Sequence, residues 1–281
     1  MKLLRYGPAG QERPGLLDAS GTLRDLSAMI PDLTPATLTP ATLDRLRALS
    51  PQDLPAVTVQ PRLGPCVGQV GKFVCIGLNY RHHADETGAA YPEEPILFMK
   101  ATSAIIGPND DVLLPPGSTK SDWEVELGVV IGRLAKRVSE ADALSHIAGY
   151  CVVNDLSERE YQLERGGTWD KGKGCDTFGP IGPWLVTTDD VPDPQALGLW
   201  LDVDGVRRQT GHTGDMIFSV AQIVSYVSRF MSLQPGDIIS TGTPHGVALG
   251  MTPPPYLRPG QVMHLGIDGL GEQRQTCRAD I

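Results

Sequence analysis

Residues 121–131 read Ser-Asp-Trp-Glu-Val-Glu-Leu-Gly-Val-Val-Ile. On a strand, side chains two apart share a face. Trp123, Val125, Leu127, Val129 and Ile131 then form one apolar face, and Glu124 and Glu126 stand together on the other. That second face continues as Gly128 and Val130, so it is not a plain solvent face. Two carboxylates this close repel unless they share a proton or a cation. A hard ion such as Mg2+ or Mn2+ resolves the repulsion. From spacing alone, a half-exposed strand with two surface glutamates is the commoner explanation.

Working outward, the chain reads as short strands with few helices. Strands are expected at Phe73–Leu78, Ile96–Met99, Val112–Leu114, Gly149–Val153, Pro183–Thr187, Gly198–Val203 and Asp237–Thr241. Asn79 is placed to cap a helix through Tyr80–Thr87 that stops at Gly88, and Ser139–Ile147 reads as another helix. The best amphipathic helix is Ser219–Met231, where Val220, Ile223, Val224, Val227 and Phe230 fall at helical spacing. No regular βαβ alternation and no repeat appears, which favours a mixed or antiparallel β architecture. Residues 1–60 form a different texture: strands at Lys2–Tyr6, Gly15–Leu17 and Thr22–Leu26, with a helix at Ala41–Leu49. Ser50–Pro65, with four prolines, reads as a linker.

Bulk properties narrow the partners. A length of 281 residues suits one large domain or a catalytic domain with an appendage. A net charge of −9 without a basic run argues against nucleic acid and anionic membranes. The same charge repels an anionic substrate at long range, so an acid must be captured by a local cation. Five cysteines, without metal-type pairs, suit reduced thiols and a cytoplasmic protein. The N-terminus lacks the apolar core of a signal peptide, and no run of apolar residues is long enough to span a membrane.

Four further segments carry chemistry-bearing residues. Val152-Val-Asn-Asp155 ends an apolar strand, where Asp155 is presented for a third carboxylate or merely a turn. His83 and Glu86 are helical neighbours, and a carboxylate that holds an imidazole makes a general base for water. The adjacent pair His82 and His83 cannot face one zinc ion from a helix. Gly167–Gly174 nearly spells a phosphate-binding loop, but Gly174 stands where a hydroxyl is needed and no strand precedes it. Lys173 in that glycine-rich setting is a candidate for stabilising an oxyanion or enolate. Thr241-Gly-Thr243-Pro-His245 displays hydroxyls at the end of a strand. Taken singly, each segment also has an ordinary structural explanation.

Taken together, these segments resemble the fumarylacetoacetate hydrolase family. The likeness runs from about Gly71 to the C-terminus and rests on six ordered motifs. They are IGLNYRHHADETG at 76–88, SDWEVELGVVIG at 121–132, VVNDLSERE at 152–160, KGKGCDTFGPIGPW at 171–184, TGDMIFSVAQIVSYVS at 213–228 and PGDIISTGTPHGV at 235–247. The resemblance implies an α+β fold. It places a mixed β-roll or sandwich catalytic domain at 69–281, after a small N-terminal αβ domain at 1–68, with assembly as a homodimer or higher homo-oligomer. It implies one Mg2+, Mn2+ or Ca2+ ion on Glu124, Glu126 and Asp155, and catalysis by His83, Glu86 and Lys173. Arg159, Gln162, Asp176, Gln209 and Thr243 would contact substrate. Gly174 departs from the serine usual after the family's lysine.

The activity implied is hydrolysis of a carbon–carbon bond in a 2,4-dioxo acid. The branch it looks most like takes 2,4-didehydro-3-deoxy-L-rhamnonate to pyruvate and lactate, in sugar-acid catabolism; its members are often called ureidoglycolate lyases. Oxaloacetate decarboxylation, dienedioate isomerisation and ureidoglycolate cleavage are the competing activities, and a non-catalytic metal-binding protein is the competing class.

Overall fold

The computed structural model describes residues 1–280. Its centre is the strand Val125–Ile131, in which every residue is buried. The alternation seen in the sequence is real, but it does not separate core from solvent. Val125, Leu127, Val129 and Ile131 enter one apolar cluster and Val130 enters a second, so the strand carries a core on each face. Burial on both sides makes the two glutamates far costlier than surface glutamates would be.

This strand lies sixth in the main sheet. Its order is Leu23–Asp25, Arg13–Leu17, Lys2–Tyr6, Gly179–Thr187, Ile147–Asn154, Val125–Ile131, Ile238–Ser240, Phe73–Gly77 and Ile96–Lys100. A short strand at Ile105–Ile106 pairs with Gly179–Thr187 off this path. A second sheet runs Val206–His212, Gly198–Val203, Val262–Ile267, Gly271–Ala279 and Val112–Leu114. Leu199, Leu201, Met263 and Leu265 meet Val125, Leu127 and Val129 in the first cluster, which also takes in the helix Val220–Phe230. The fold is thus a mixed one of sheets with few helices, as expected.

The N-terminal residues continue the main sheet. Lys2–Tyr6 pairs antiparallel with Gly179–Thr187 through Leu3 and Leu185. Leu16, Leu26, Ile30, Leu33, Leu38, Leu43 and Leu46 share the second cluster with Phe73, Cys75, Val130 and Val153. They cover the face that carries Val130, the same strand face as the glutamates farther along the strand. The proline-rich segment is pinned along this unit by Gly7 N–H to the Arg62 carbonyl (2.9 Å) and Val57 N–H to the Leu23 carbonyl (2.9 Å).

Three local expectations change. Ser139–Ile147 is a helix only over Glu140–Ala143; a 3-10 turn at Leu144–His146 follows and Ile147 already starts a strand. The helix at Val220–Phe230 begins with a reciprocal Ser219–Gln222 cap, yet Phe230 is 62% exposed, so its buried apolar stripe ends at Val227. Asn79 does not cap the helix Arg81–Thr87, whose first flanking residue is Tyr80. Its buried amide instead donates to the carbonyls of Phe218 (3.1 Å) and Thr241 (2.8 Å), and its oxygen accepts from Phe218 N–H (2.8 Å). Gly88, left-handed at φ 66°, does end that helix.

A candidate metal centre and active site

The pairing of the two central strands builds the carboxylate cluster. Val153 lies opposite Glu126, and Asn154 opposite Val125. One step further places Asp155 against Glu124, and Asp155 N–H donates to the Glu124 carbonyl at 2.9 Å. Oxygens of Glu124, Glu126 and Asp155 lie within 4.8 Å of one another, and all three residues are buried.

Each carboxylate has a different neighbourhood. Glu124 accepts from Arg159 Nη2 at 2.6 Å and from Lys173 Nζ. Burial alone would raise its pKa, but Lys173 and Arg159 outweigh that and hold the carboxyl down at about 2. Asp155 accepts from Lys100 Nζ at 2.6 Å and Lys173 Nζ at 2.9 Å. Among the described residues Glu126 forms no salt bridge: its hydrogen-bond partners are Ser240 Oγ (2.6 Å) and Gly242 N–H (2.8 Å). Burial, then the nearby Asp155 and Glu124, push its pKa well above the usual range. A buried carboxylate with no direct ion-pair partner among the described residues, facing two others, is the feature a bound cation would satisfy. All three donors are hard oxygens, which suits Mg2+ or Mn2+. The residues therefore fit the group.

Lys173 is aimed by a short helix at Asp170–Lys173. Gly172 makes this possible, because a Cβ there would meet the Glu158 carbonyl at 2.4 Å and Gln162 Cβ at 2.6 Å. The ammonium is 2% exposed and lies 5.2 Å from the Phe98 ring centre. Burial would lower its pKa, but Asp155 and Glu124 raise it above the ordinary lysine value, so it stays charged.

These groups open into a cavity of about 210 Å³, lined on its polar side by Glu124, Glu126, Arg159, Gln162, Lys173 and Thr243. His83 lines it from the lid helix Arg81–Thr87. His83 Nδ1 lies 3.4 Å from Glu86 Oε2, and both Glu86 oxygens accept from Gly246 N–H at 3.1 Å. The lid thus rests on the turn that follows the strand Ile238–Ser240, the same turn that holds Glu126.

Of the other residues singled out from sequence, Gln209 is buried but spent on bracing. It accepts from Val125 N–H (2.9 Å) and donates to Thr243 Oγ1 (2.8 Å) and the Pro244 carbonyl (2.9 Å). Asp176 does not join the site. It is exposed, because Thr177, at φ 67° and bonded through Oγ1 to Leu113 N–H, turns the chain away into the strand Gly179–Thr187. Sequence reasoning missed Lys100, Asp122 and Ser240. Asp122 takes Arg159 Nε at 2.9 Å and the backbone N–H groups of Ala248 (2.8 Å) and Leu249 (3.0 Å). The only signal for Lys100 was a lysine closing the apolar strand Ile96–Lys100.

The family profile described as Fumarylacetoacetate (FAA) hydrolase C-terminal matches residues 72–278. A protein of Burkholderia multivorans, provisionally named a hydrolase, is 64% identical over 280 residues, covering 99% of both chains. Among solved structures, the fumarylacetoacetate hydrolase of Exiguobacterium antarcticum superposes with a TM-score of 0.86 at 33% identity over the whole of both chains. The 2-hydroxyhepta-2,4-diene-1,7-dioate isomerase of Mycobacterium marinum gives 0.75 at 32% identity, covering 100% of this chain and 99% of that one. The maleylpyruvate hydrolase of Sphingobium sp. SYK-6, in complex with manganese(II) and pyruvate, gives 0.82 at 27% identity over the whole of both chains. On the profile match and these likenesses, the chain belongs to the fumarylacetoacetate hydrolase family.

Proposed function

We propose that the protein is a divalent-metal-dependent hydrolase that cleaves the C3–C4 bond of a 2,4-dioxo acid, releasing pyruvate and a carboxylic acid. The observation that carries this is the convergence of His83, backed by Glu86, on the same cavity as the carboxylate cluster and Lys173. Glu124, Glu126 and Asp155 would hold the ion. Bound there, it supplies Lewis-acid polarisation and charge stabilisation. The manganese and pyruvate in the Sphingobium hydrolase support both the ion and the product.

The chain's own groups then divide the work. Arg159 and Gln162 orient the acid from the cavity wall, with the Arg159 guanidinium fixed by Asp122. Glu86 orients the imidazole, and His83 takes a proton from water as its oxygen attacks C4. The C3–C4 bond breaks, its electron pair passes to C3, and the Lys173 ammonium stands beside the enolate charge. The proton returns to C3, which completes pyruvate, while the hydroxyl oxygen stays in the acid formed from C4. The substrate proposed is 2,4-didehydro-3-deoxy-L-rhamnonate, giving pyruvate and lactate. It rests on the sequence motifs.

Isomerisation of a dienedioate is the second possibility, supported by the likeness to the Mycobacterium marinum isomerase. Water activation separates the two. With Mg2+ present, His83→Ala is expected to slow pyruvate release from 2,4-dioxo acids by about 10²–10⁴-fold. Undiminished release would refute the hydrolytic role of His83.

A further inference from the structure

Among the described residues, the cavity lining leaves no cation free for a second carboxylate on the substrate. Its lining holds two permanent cations, Arg159 and Lys173. Arg159 pairs with Asp122 and Glu124, and Lys173 with Glu124 and Asp155. Arg81 shares the lid helix with His83, but its guanidinium reaches the carbonyls of Asp215 and Met216 and does not line the cavity. The rest of the wall is dominated by Leu78, Ala89, Phe98, Leu163, Trp169 and Leu249. Trp169 stacks edge-on against Phe98 with ring centres 5.4 Å apart.

Neutral donors are few as well. Thr87 Oγ1 donates to the carbonyls of His83 and Ala84, and Thr243 Oγ1 to that of Val125. The Gln162 oxygen accepts from Arg159, which leaves the Gln162 amide nitrogen to offer a substrate hydroxyl. A remote carboxylate would lose its water against leucine and tryptophan with no cation to replace it, a heavy cost. An alkyl group, or one bearing a single hydroxyl, loses little. The cavity of about 210 Å³ is also small beside the roughly 300–1,000 Å³ of sites for drug-sized ligands.

We infer that the site takes monocarboxylic 2,4-dioxo acids whose C4 acyl group is short, uncharged and largely apolar, and that it rejects dicarboxylic ones. This rests on the proposed 2,4-dioxo acid hydrolysis. The lactoyl group of the rhamnonate derivative, with one methyl and one hydroxyl, meets the requirement.

The test compares kcat/KM of the Mg2+-loaded enzyme on 2,4-dioxoheptanoate and 2,4-dioxoheptanedioate, which have equal chain length. The neutral tail should be favoured by on the order of a hundredfold. Leu163, at the end of the helix Arg159–Leu163, is 47% exposed, so Leu163→Arg should fold and set a cation at the cavity wall. That variant should narrow the ratio by about tenfold. A wild-type ratio near one would overturn the inference and leave the hydrolase proposal standing. An unchanged ratio in Leu163→Arg would overturn the assignment of the wall. No cleavage of either acid would remove the proposed function and this inference with it.

Discussion

The floor and the lid of the site are built in opposite ways. The floor is made of paired strands: Glu124, Glu126 and Asp155 are buried, and Lys100, Arg159, Ser240 and Gly242 hold their oxygens. The lid is the seven-residue helix Arg81–Thr87, which brings His83 to the cavity and rests on the turn at Gly246 through Glu86. The His83–Glu86 contact is 3.4 Å, whereas Lys100–Asp155 is 2.6 Å. A preorganised floor suits binding of an ion, while a lid held by few contacts suits a base that meets water only when substrate is present. Metal affinity should therefore follow the floor and turnover the lid.

Substitutions can break that division. The largest effect is expected for Glu126→Gln. It removes a direct ligand, so metal affinity measured by calorimetry should fall by more than the roughly 10–100-fold typical of outer-shell changes, and turnover should vanish with it. Full affinity in this variant would remove Glu126 from the ion. His83→Ala should lower kcat by about 10²–10⁴ with metal affinity unchanged, and a parallel loss of affinity would erase the contrast between floor and lid.

Lys100→Met tests the floor while leaving all three proposed ligands in place, though it removes a partner of Asp155. Lys100 and Asp155 are both fully buried, and removing one member of such a pair costs about 3–5 kcal/mol. The melting temperature of the metal-free protein should drop sharply. Added Mn2+ should restore part of the loss, since an ion that binds only the folded state stabilises it. Ser240→Ala should lower metal affinity roughly 10–100-fold and leave kcat at saturating metal near wild type. The smallest effect is expected for Ser219→Ala, which removes the cap of the helix Val220–Phe230, a helix that lends no residue to the cavity wall. It should cost about 1 kcal/mol of stability and change neither affinity nor turnover.

The lid was more legible than the floor. His83 and Glu86 lie on one helical turn, so their meeting follows from local spacing. Glu124 and Glu126 are two apart and both reach the cavity, although the strand itself begins only at Val125. Asp155 could be raised as a third carboxylate from its strand end, but only the ordered motifs chose that over a turn, because its place opposite Glu124 depends on the register between two strands. Lys100 was invisible for a similar reason. A lysine closing a short strand normally ends in water, and only the packing of Ile96–Lys100 at the sheet edge turns this one toward Asp155. Asp176 shows the converse. Its place in the motif suggested a contact, but a left-handed Thr177 carries the chain outward. The alternation in the central strand gave its two faces correctly. It could not show that the N-terminal leucines bury the second face, since that contact spans most of the chain.

Hydrolysis of a carbon–carbon bond is the reaction proposed for this site. The most direct measurement is product analysis by nuclear magnetic resonance after the Mg2+-loaded wild-type protein is mixed with 2,4-dioxopentanoate. Equal yields of pyruvate and acetate, abolished by a chelator, are expected. Release of carbon dioxide, an isomerised acid that keeps all its carbon atoms, or unchanged yields after chelation would contradict it.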